Sequence, residues 1–402
     1  MNTGTSGKAG WLTVALCFLV ATFEGVDLQA AGLVAPKIAP LFHLDPGKLG
    51  WFFSASTFGL VIGAIIGGRL ADRRGRKLVL MISVAVFGAL SMATAFASSF
   101  ETLVLFRLLT GLGLGGALPN LIALTSENVP PERRNLSVSL MYCGMPFGGG
   151  LASLLVALTG AATDWKTVFY VGGAAPLIAI PLLAFALPES RQFARAAADR
   201  ARTGVMTALF GGSRAIPTVA LWIAFFSGLL VLYLLLNWLP TMLVSRGLPR
   251  PLASFVQAAL NLAGVLGPIA VGASMDGPAR RWAVAAIFVI LAAGLAVLAI
   301  TPASFGVALL TGSLVGIGIL GAQSVLYAIA PGLYPTLMRG TGVGAAVAVG
   351  RMGSVVGPLL AGVLVGQGQS ASQVLMALMP LVLIAGLVAF GLAARKPAVS
   401  YA

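Results

Sequence analysis

Four charged side chains sit inside otherwise apolar runs of this sequence: Glu24 and Asp27 in the first run, Arg107 in the fourth and Arg351 in the eleventh. Of the eleven acids, Asp45, Glu101, Glu132, Asp164, Glu189 and Asp199 fall in loops or at run edges. Asp72 and Asp276 belong to loop motifs, and Glu127 sits at a helix end. That leaves Glu24 and Asp27, three positions apart and hence on one helix face, about 60° from each other around the axis. An ionisable group inside an apolar span is costly and faces a cavity or a partner. A carboxylic acid placed there can take up and release a proton. An arginine in practice cannot, so Arg107 and Arg351 are fixed anion sites. The plain structural reading is an ion pair that holds helices together. The charge sum points further. Two acids and two arginines cancel, and one bound carboxylate would leave a single uncompensated negative charge. Protonating Asp27 or Glu24 restores neutrality and releases an arginine to grip the carboxylate in bidentate fashion. The expected chemistry therefore couples an anion to a proton: Asp27 carries the proton, Glu24 assists, and Arg107 or Arg351 holds the carboxylate.

The elements that must position these groups follow from composition. The 402 residues are 58% hydrophobic and 9% charged, against about 25% charged in a soluble domain. A bilayer accommodates that much apolar surface, and a spanning helix needs about 20 mainly apolar residues. Apolar runs cover 11–36, 49–69, 78–97, 102–125, 136–160 and 165–187, and then 215–242, 253–273, 282–300, 305–330, 341–366 and 372–394. The expected fold is an all-α membrane protein of twelve transmembrane helices in two six-helix bundles, residues 1–187 and 215–402, joined by a polar linker over 188–214. The first run is too long for a signal peptide and has no cleavage site, so it reads as a retained helix. Most of the 51 glycines lie within apolar runs, where small residues let helices approach closely. Gly59, Gly63 and Gly67 read as packing, and the glycines from Gly111 to Gly115 as allowing close approach and rocking between the bundles.

The net charge of +14 does not form the single basic face that nucleic acid requires. It falls in short blocks between runs. With the N-terminus inside, 18 Lys and Arg lie on the cytoplasmic side against 5 on the other, which places both termini in the cytoplasm. Asp27 and Arg107 then lie in the outward halves of antiparallel spans, at depths that permit an ion pair. Arg351 lies about 15 Å into its span at helical rise, near the midplane. Cys17 and Cys143 are both within apolar runs, which implies no disulfide framework, and the single histidine, His43, rules out a His-rich metal site.

A weak repeat supports two bundles. Gly68-Arg-Leu-Ala-Asp72-Arg-Arg-Gly-Arg-Lys77 follows the second run, and Gly272-Ala-Ser-Met-Asp276-Gly-Pro-Ala-Arg-Arg281 follows the eighth. Leu108-Leu-Thr-Gly111 recurs as Leu309-Leu-Thr-Gly312. In the first loop Gly68 allows close packing at a helix end, Asp72 can face a helix N-terminus or an arginine, and the basic run anchors to the inner leaflet. This pattern resembles the loop signature of the major facilitator superfamily, as do Arg107-x-x-x-Gly111-x-Gly113-x-Gly115 and Leu187-Pro188-Glu189-Ser190. The resemblance implies that Asp72, Arg73 and Arg76, with Gly68, Glu127 and the second-copy Asp276, form a cytoplasmic gate and are not substrate ligands.

Within that superfamily the chain is similar to the aromatic acid:proton symporters. The matching stretches are Glu24-Gly25-Val26-Asp27, Thr110 through Pro119-Asn120 to Glu127, Asn237-Trp238-Leu239-Pro240, and Gly350-Arg351. The family usually has Asp where this chain has Glu24. That departure, with Asp27-Leu-Gln-Ala-Ala-Gly32, Ser139-Leu-Met-Tyr-Cys-Gly144 and Gln323-Ser-Val-Leu-Tyr327-Ala, is similar to the branch that carries 3-(3-hydroxyphenyl)propionate. The resemblance implies proton-coupled uptake of an aromatic carboxylate, with benzoates such as 4-hydroxybenzoate as the alternative. The partners are then that acid, protons and the lipid bilayer of a bacterial inner membrane, with no cofactor, no metal and no nucleic acid, and a monomer suffices.

Asn120, Tyr142, Tyr233, Asn237, Asn261, Gln323 and Tyr327 are polar groups within spans that could receive the ring and its hydroxyl. Each alone is more often a helix–helix hydrogen bond. Gln323 and Tyr327, four apart, share a face and rank first. Three rival readings fare worse. Proton-coupled exporters of this fold show Gly-Pro-x-x-Gly-Gly, and Cys143-Gly-Met-Pro146-Phe-Gly-Gly149 is only similar to it. An enzyme lacks paired acids beside a nucleophile. A channel needs a symmetric ring, not unlike helices.

Overall fold

The computed structural model describes residues 3–130, 133–159, 164–189, 205–211, 214–275, 279–302, 304–335 and 338–394. Among them, twelve helices are long and apolar enough to cross a membrane. We label these α1 (Gly10–Leu41), α2 (Pro46–Ala71), α3 (Arg76–Thr94), α4 (Phe100–Glu127), α5 (Leu136–Thr159) and α6 (Trp165–Ala186). The second six are α7 (Ala215–Ser245), α8 (Arg250–Gly272), α9 (Arg280–Ile300), α10 (Phe305–Leu333), α11 (Thr341–Gly366) and α12 (Ala371–Ala393). The runs read from the sequence match these except at the end of α1. Pro36 looked like a stop, yet Pro36 and Pro40 both lie inside the helix.

Proline does act elsewhere. The helical hydrogen bonding of α5, α8 and α12 is interrupted at Cys143, Val265 and Leu378, two or three residues before Pro146, Pro268 and Pro380. Each proline withholds the N–H that the preceding turn needs and crowds its carbonyl. Other ends are capped by side chains. Asp45 accepts from the Lys48 N–H at 2.8 Å, and Asp164 from the Lys166 N–H at 3.3 Å. Ser99 and Thr102 form a reciprocal capping box at the start of α4. Asp45 and Asp164, placed by sequence at span edges, are thus N-caps, where a carboxylate meets the positive end of the helix dipole.

The chain divides into two units, Met1–Arg200 and Ala201–Ala402. The linker expected over 188–214 lies largely outside the described residues, apart from its first two residues, a short helix at Val205–Phe210 and its C-terminal end. In the first unit the main pairings are α2 with α4, α3 with α4, α1 with α5, and α3 and α1 with α6. In the second, α8 pairs with α10, α9 with α10, α7 with α11, and α9 and α7 with α12. The same scheme recurs six helices later, down to residues. A Cβ on Gly115 would fall on the Leu60 carbonyl, and one on Gly316 on the Leu260 carbonyl. Thr110 and Thr311 each donate to the carbonyl four residues back, at 2.7 Å. The repeat weakly visible in Leu-Leu-Thr-Gly is therefore structural.

The glycines serve the packing within a unit. A Cβ on Gly59 would fall on the Leu108 carbonyl and one on Gly63 on the Leu112 carbonyl, while Gly67 meets Gly116. Gly111 and Gly115 close on α2, and Gly113 on α3 with the Phe87 N–H 2.6 Å from a virtual Cβ. These contacts lie within the first unit, whereas the sequence reading gave Gly111 to Gly115 a part in rocking between bundles. Gly68 is also corrected: no atom lies within 4 Å of its virtual Cβ, so it does not serve close packing. Gly63→Val should therefore lower the melting temperature of the detergent-solubilised protein by at least about 5 °C, because the backbone carbonyl opposite cannot give way. Gly68→Val should leave it within about 2 °C.

Large apolar side chains such as Phe185, Ile216, Trp282 and Leu387 are more than two-thirds exposed. In water such a surface would aggregate; against lipid it needs no cover, because the lipid chains are themselves apolar.

Candidate functional site

The first unit contains the acid pair. Asp27 on α1 is fully buried, and Arg107 on α4 is 1% exposed. Arg107 Nη1 donates to both Asp27 carboxylate oxygens at 2.9 Å, and its Nη2 donates to the Asp27 backbone carbonyl at 3.2 Å. A third element joins them: Ser91 Oγ on α3 donates to Asp27 Oδ1 at 2.6 Å. The guanidinium lies 5.7 Å from the centroid of the Phe169 ring on α6, a cation–π contact that stabilises the charge where water is absent. Four helices thus converge on one ion pair. α1 also meets α5 through Gly25, whose virtual Cβ would fall on the Met145 carbonyl. Glu24, 2% exposed, lies nearly one turn earlier on α1.

Asp27 is thus the acid that engages Arg107. Arg351 on α11 donates from Nη1 to the phenol oxygen of Tyr233 on α7 at 2.8 Å. Tyr327 on α10 lies within electrostatic reach of both Arg351 and Tyr233. Its ring stands edge-on to Phe225 with centroids 5.1 Å apart. Gln323, one turn before Tyr327 and 7% exposed, packs against Gly228 of α7. Arg351, Tyr233, Tyr327, Phe225 and Gln323 therefore form one cluster inside the second unit: a cation among phenols with a buried amide nearby. Arginine on this footing offers a planar fork for a carboxylate.

The remaining polar candidates are placed differently. Asn120 Nδ2 donates to the Gly116 carbonyl at 2.8 Å, Asn237 Nδ2 to the Tyr233 carbonyl at 2.8 Å, and Asn261 Nδ2 to the Gln257 carbonyl at 3.0 Å. Each amide satisfies one donor on its own helix, the common fate of a short polar side chain in a span. Tyr142, half-buried at the break in α5, packs against the apolar core of the first unit.

The loop motif is partly described. Arg76 forms an ion pair with Glu127 at the end of α4. Arg73 is exposed, the Asp72 side chain falls outside what is described, and Asp276 lies outside the described residues. Glu189, absent from the gate as read from the sequence although its motif was visible, accepts the backbone N–H groups of Arg76 and Lys77 at 3.0 and 3.1 Å. Lys77 Nζ donates to the Ala184 carbonyl in the last turn of α6 at 2.6 Å. The start of α3 is therefore tied to the ends of both α4 and α6. The tie runs through Gly75, whose φ of +96° favours glycine. Glu189→Ala should destabilise the protein by about 1 kcal/mol, the usual worth of an N-cap, and Glu189→Gln by less, as read from thermal melts.

Comparison with known proteins agrees with this architecture. The family model of the Major Facilitator Superfamily matches residues 17–351. The chain is 48% identical over 399 residues to the 3-(3-hydroxy-phenyl)propionate transporter of Escherichia coli strain K12, covering 98% of each chain. It is 34% identical to a 4-hydroxybenzoate transporter of Acinetobacter baylyi, covering 93% of this chain and 89% of that one. The fold matches the crystal structure of a D-xylose–proton symporter with a TM-score of 0.77 at 16% identity, over 96% of this chain and 98% of that chain. Two six-helix units with one repeated packing scheme, buried charges within their spans, and a family match over most of the length lead to one conclusion: the chain belongs to the Major Facilitator Superfamily and is a multi-pass inner-membrane transporter.

Proposed function

We propose that the protein carries 3-(3-hydroxyphenyl)propionate into the cell together with a proton, with both termini cytoplasmic and the monomer as the working unit. The observation that carries this reading is the setting of the two arginines. Arg107 is held by Asp27 through both carboxylate oxygens, while Arg351 donates to the Tyr233 phenol oxygen and lies within electrostatic reach of Tyr327. The substrate carboxylate then goes to Arg351 and the proton to Asp27, with Glu24 as the neighbouring acid. Carboxylate binding adds one negative charge to the buried set, and one proton removes it. Without that proton, the anion would move inward against a potential costing about 2.3 kcal/mol per 100 mV. Protonated, Asp27 gives up its ionic hold on Arg107, and the α1–α4 contact loses its charge-assisted bonds. The junction of Arg76, Glu127 and Glu189 lies at the cytoplasmic end in this orientation and acts as a latch.

The substrate assignment draws on the E. coli relative at 48% identity and on the cation–phenol–amide cluster of the second unit. A benzoate such as 4-hydroxybenzoate is the second reading, favoured by the A. baylyi relative. Counterflow uptake in proteoliposomes under an imposed pH gradient separates them. Uptake of 3-(3-hydroxyphenyl)propionate should exceed that of 4-hydroxybenzoate; neglect of both acids would sink the substrate assignment.

A further inference from the structure

Within the second unit one polar group stands out. Both ends of the Gln323 amide, Nε2 and Oε1, are buried without a hydrogen-bond partner among the described residues. An unmade hydrogen bond at a buried amide is destabilising, and at membrane depth no bulk water relieves it. Asn120, Asn237 and Asn261 meet the same problem by donating to a carbonyl of their own helix. Gln323 does not.

Its position follows from what α7 lacks. A Cβ on Gly228 would lie 2.6 Å from Gln323 Nε2 and 3.7 Å from its Cδ, so the amide occupies the notch left by a missing side chain. One turn on, the Tyr327 ring packs edge-on to Phe225, and Tyr327 lies within electrostatic reach of Arg351 and Tyr233. The cluster thus combines a cation, aromatic surface and an unfilled amide. A ring hydroxyl both donates and accepts, and a primary amide offers the complement of each.

We propose that Gln323 is the specificity-determining residue that selects a hydroxylated over an unhydroxylated aromatic ring. The assignment rests on the aromatic-acid reading above and deepens it. A site whose buried polar groups are completed by a substrate hydroxyl rejects the analogue that lacks it, because those groups are then left unpaired.

The test uses the full-length protein in proteoliposomes, with 3-(3-hydroxyphenyl)propionate and 3-phenylpropionate as the two substrates and KM and maximal rate measured for each. The unmodified protein should favour the hydroxylated acid by about tenfold or more in kcat/KM. In Gln323→Leu that ratio should fall to near unity, through a raised KM for the hydroxylated acid and an unchanged or lower KM for 3-phenylpropionate. Its melting temperature in detergent without substrate should be no lower, since an unmade amide has been removed. Gly228→Ala gives an independent reading. Its methyl group displaces only the flexible end of Gln323, and it should shift the ratio in the same direction to a smaller extent. An unmoved ratio in both variants overturns the assignment, as does an equal loss for both acids in Gln323→Leu with a lowered melting temperature. If the unmodified protein carries neither acid, the aromatic-acid reading itself fails and takes this assignment with it.

Discussion

Asp27→Asn should abolish pH-gradient-driven accumulation while leaving exchange of labelled for unlabelled substrate measurable in the same vesicles. The amide has the shape of a protonated acid but cannot release a proton, so the carrier is fixed in its loaded charge state. A gradient of one pH unit is worth about 1.4 kcal/mol per proton, or about tenfold accumulation, and the variant should show none. The substitution also leaves Arg107, 1% exposed, without its anion. Breaking a buried pair in this way costs about 3–5 kcal/mol, so the amount of folded protein will fall. Exchange separates the two effects, because each surviving molecule can still cycle with substrate bound. Accumulation at the unmodified level would remove Asp27 from the coupling role.

The second large effect is expected at Arg351. Truncating one partner of a buried charge pair costs about 2–5 kcal/mol, or roughly 30- to several-thousand-fold in affinity. Arg351→Gln should therefore raise KM for the aromatic acid by at least about 30-fold. Arg351→Lys keeps the charge but loses the planar fork, and it should recover only part of the affinity. The Tyr233 phenol, 2.8 Å from Arg351 Nη1, orients the guanidinium, and Tyr233→Phe should give a smaller change in the same direction. An unchanged KM in Arg351→Gln would move the carboxylate site elsewhere.

The spans were legible because apolar runs of membrane length between cationic loops have few alternative readings. The four interior charges were legible for the same reason, since so few ionisable groups interrupt those runs. Similar depth on antiparallel helices only permitted an Asp27–Arg107 pair, and the structure makes the contact direct. Ser91 was not legible: a serine in an apolar helix gives no signal until α3 is laid beside α1. The three asparagines stood in the same group of candidates as Gln323, below it, and all three turn back on their own helices. Which amide is left open is set by the neighbouring helix, through Gly228, and not by residue type. Glu189 belonged to a recognisable motif, but its capping of α3 depends on a positive φ at Gly75, which no spacing rule gives. Gly68 misled for the opposite reason: a glycine in a motif reads as packing, and here nothing faces it.

On the proposed charge sum, one proton accompanies one carboxylate, and the cycle carries no net charge. In proteoliposomes containing the unmodified protein, accumulation of 3-(3-hydroxyphenyl)propionate should rise about tenfold per imposed pH unit, alkaline inside. It should not respond to an imposed membrane potential at constant pH. Accumulation that follows the potential, or that persists when the pH gradient is collapsed, would contradict the account.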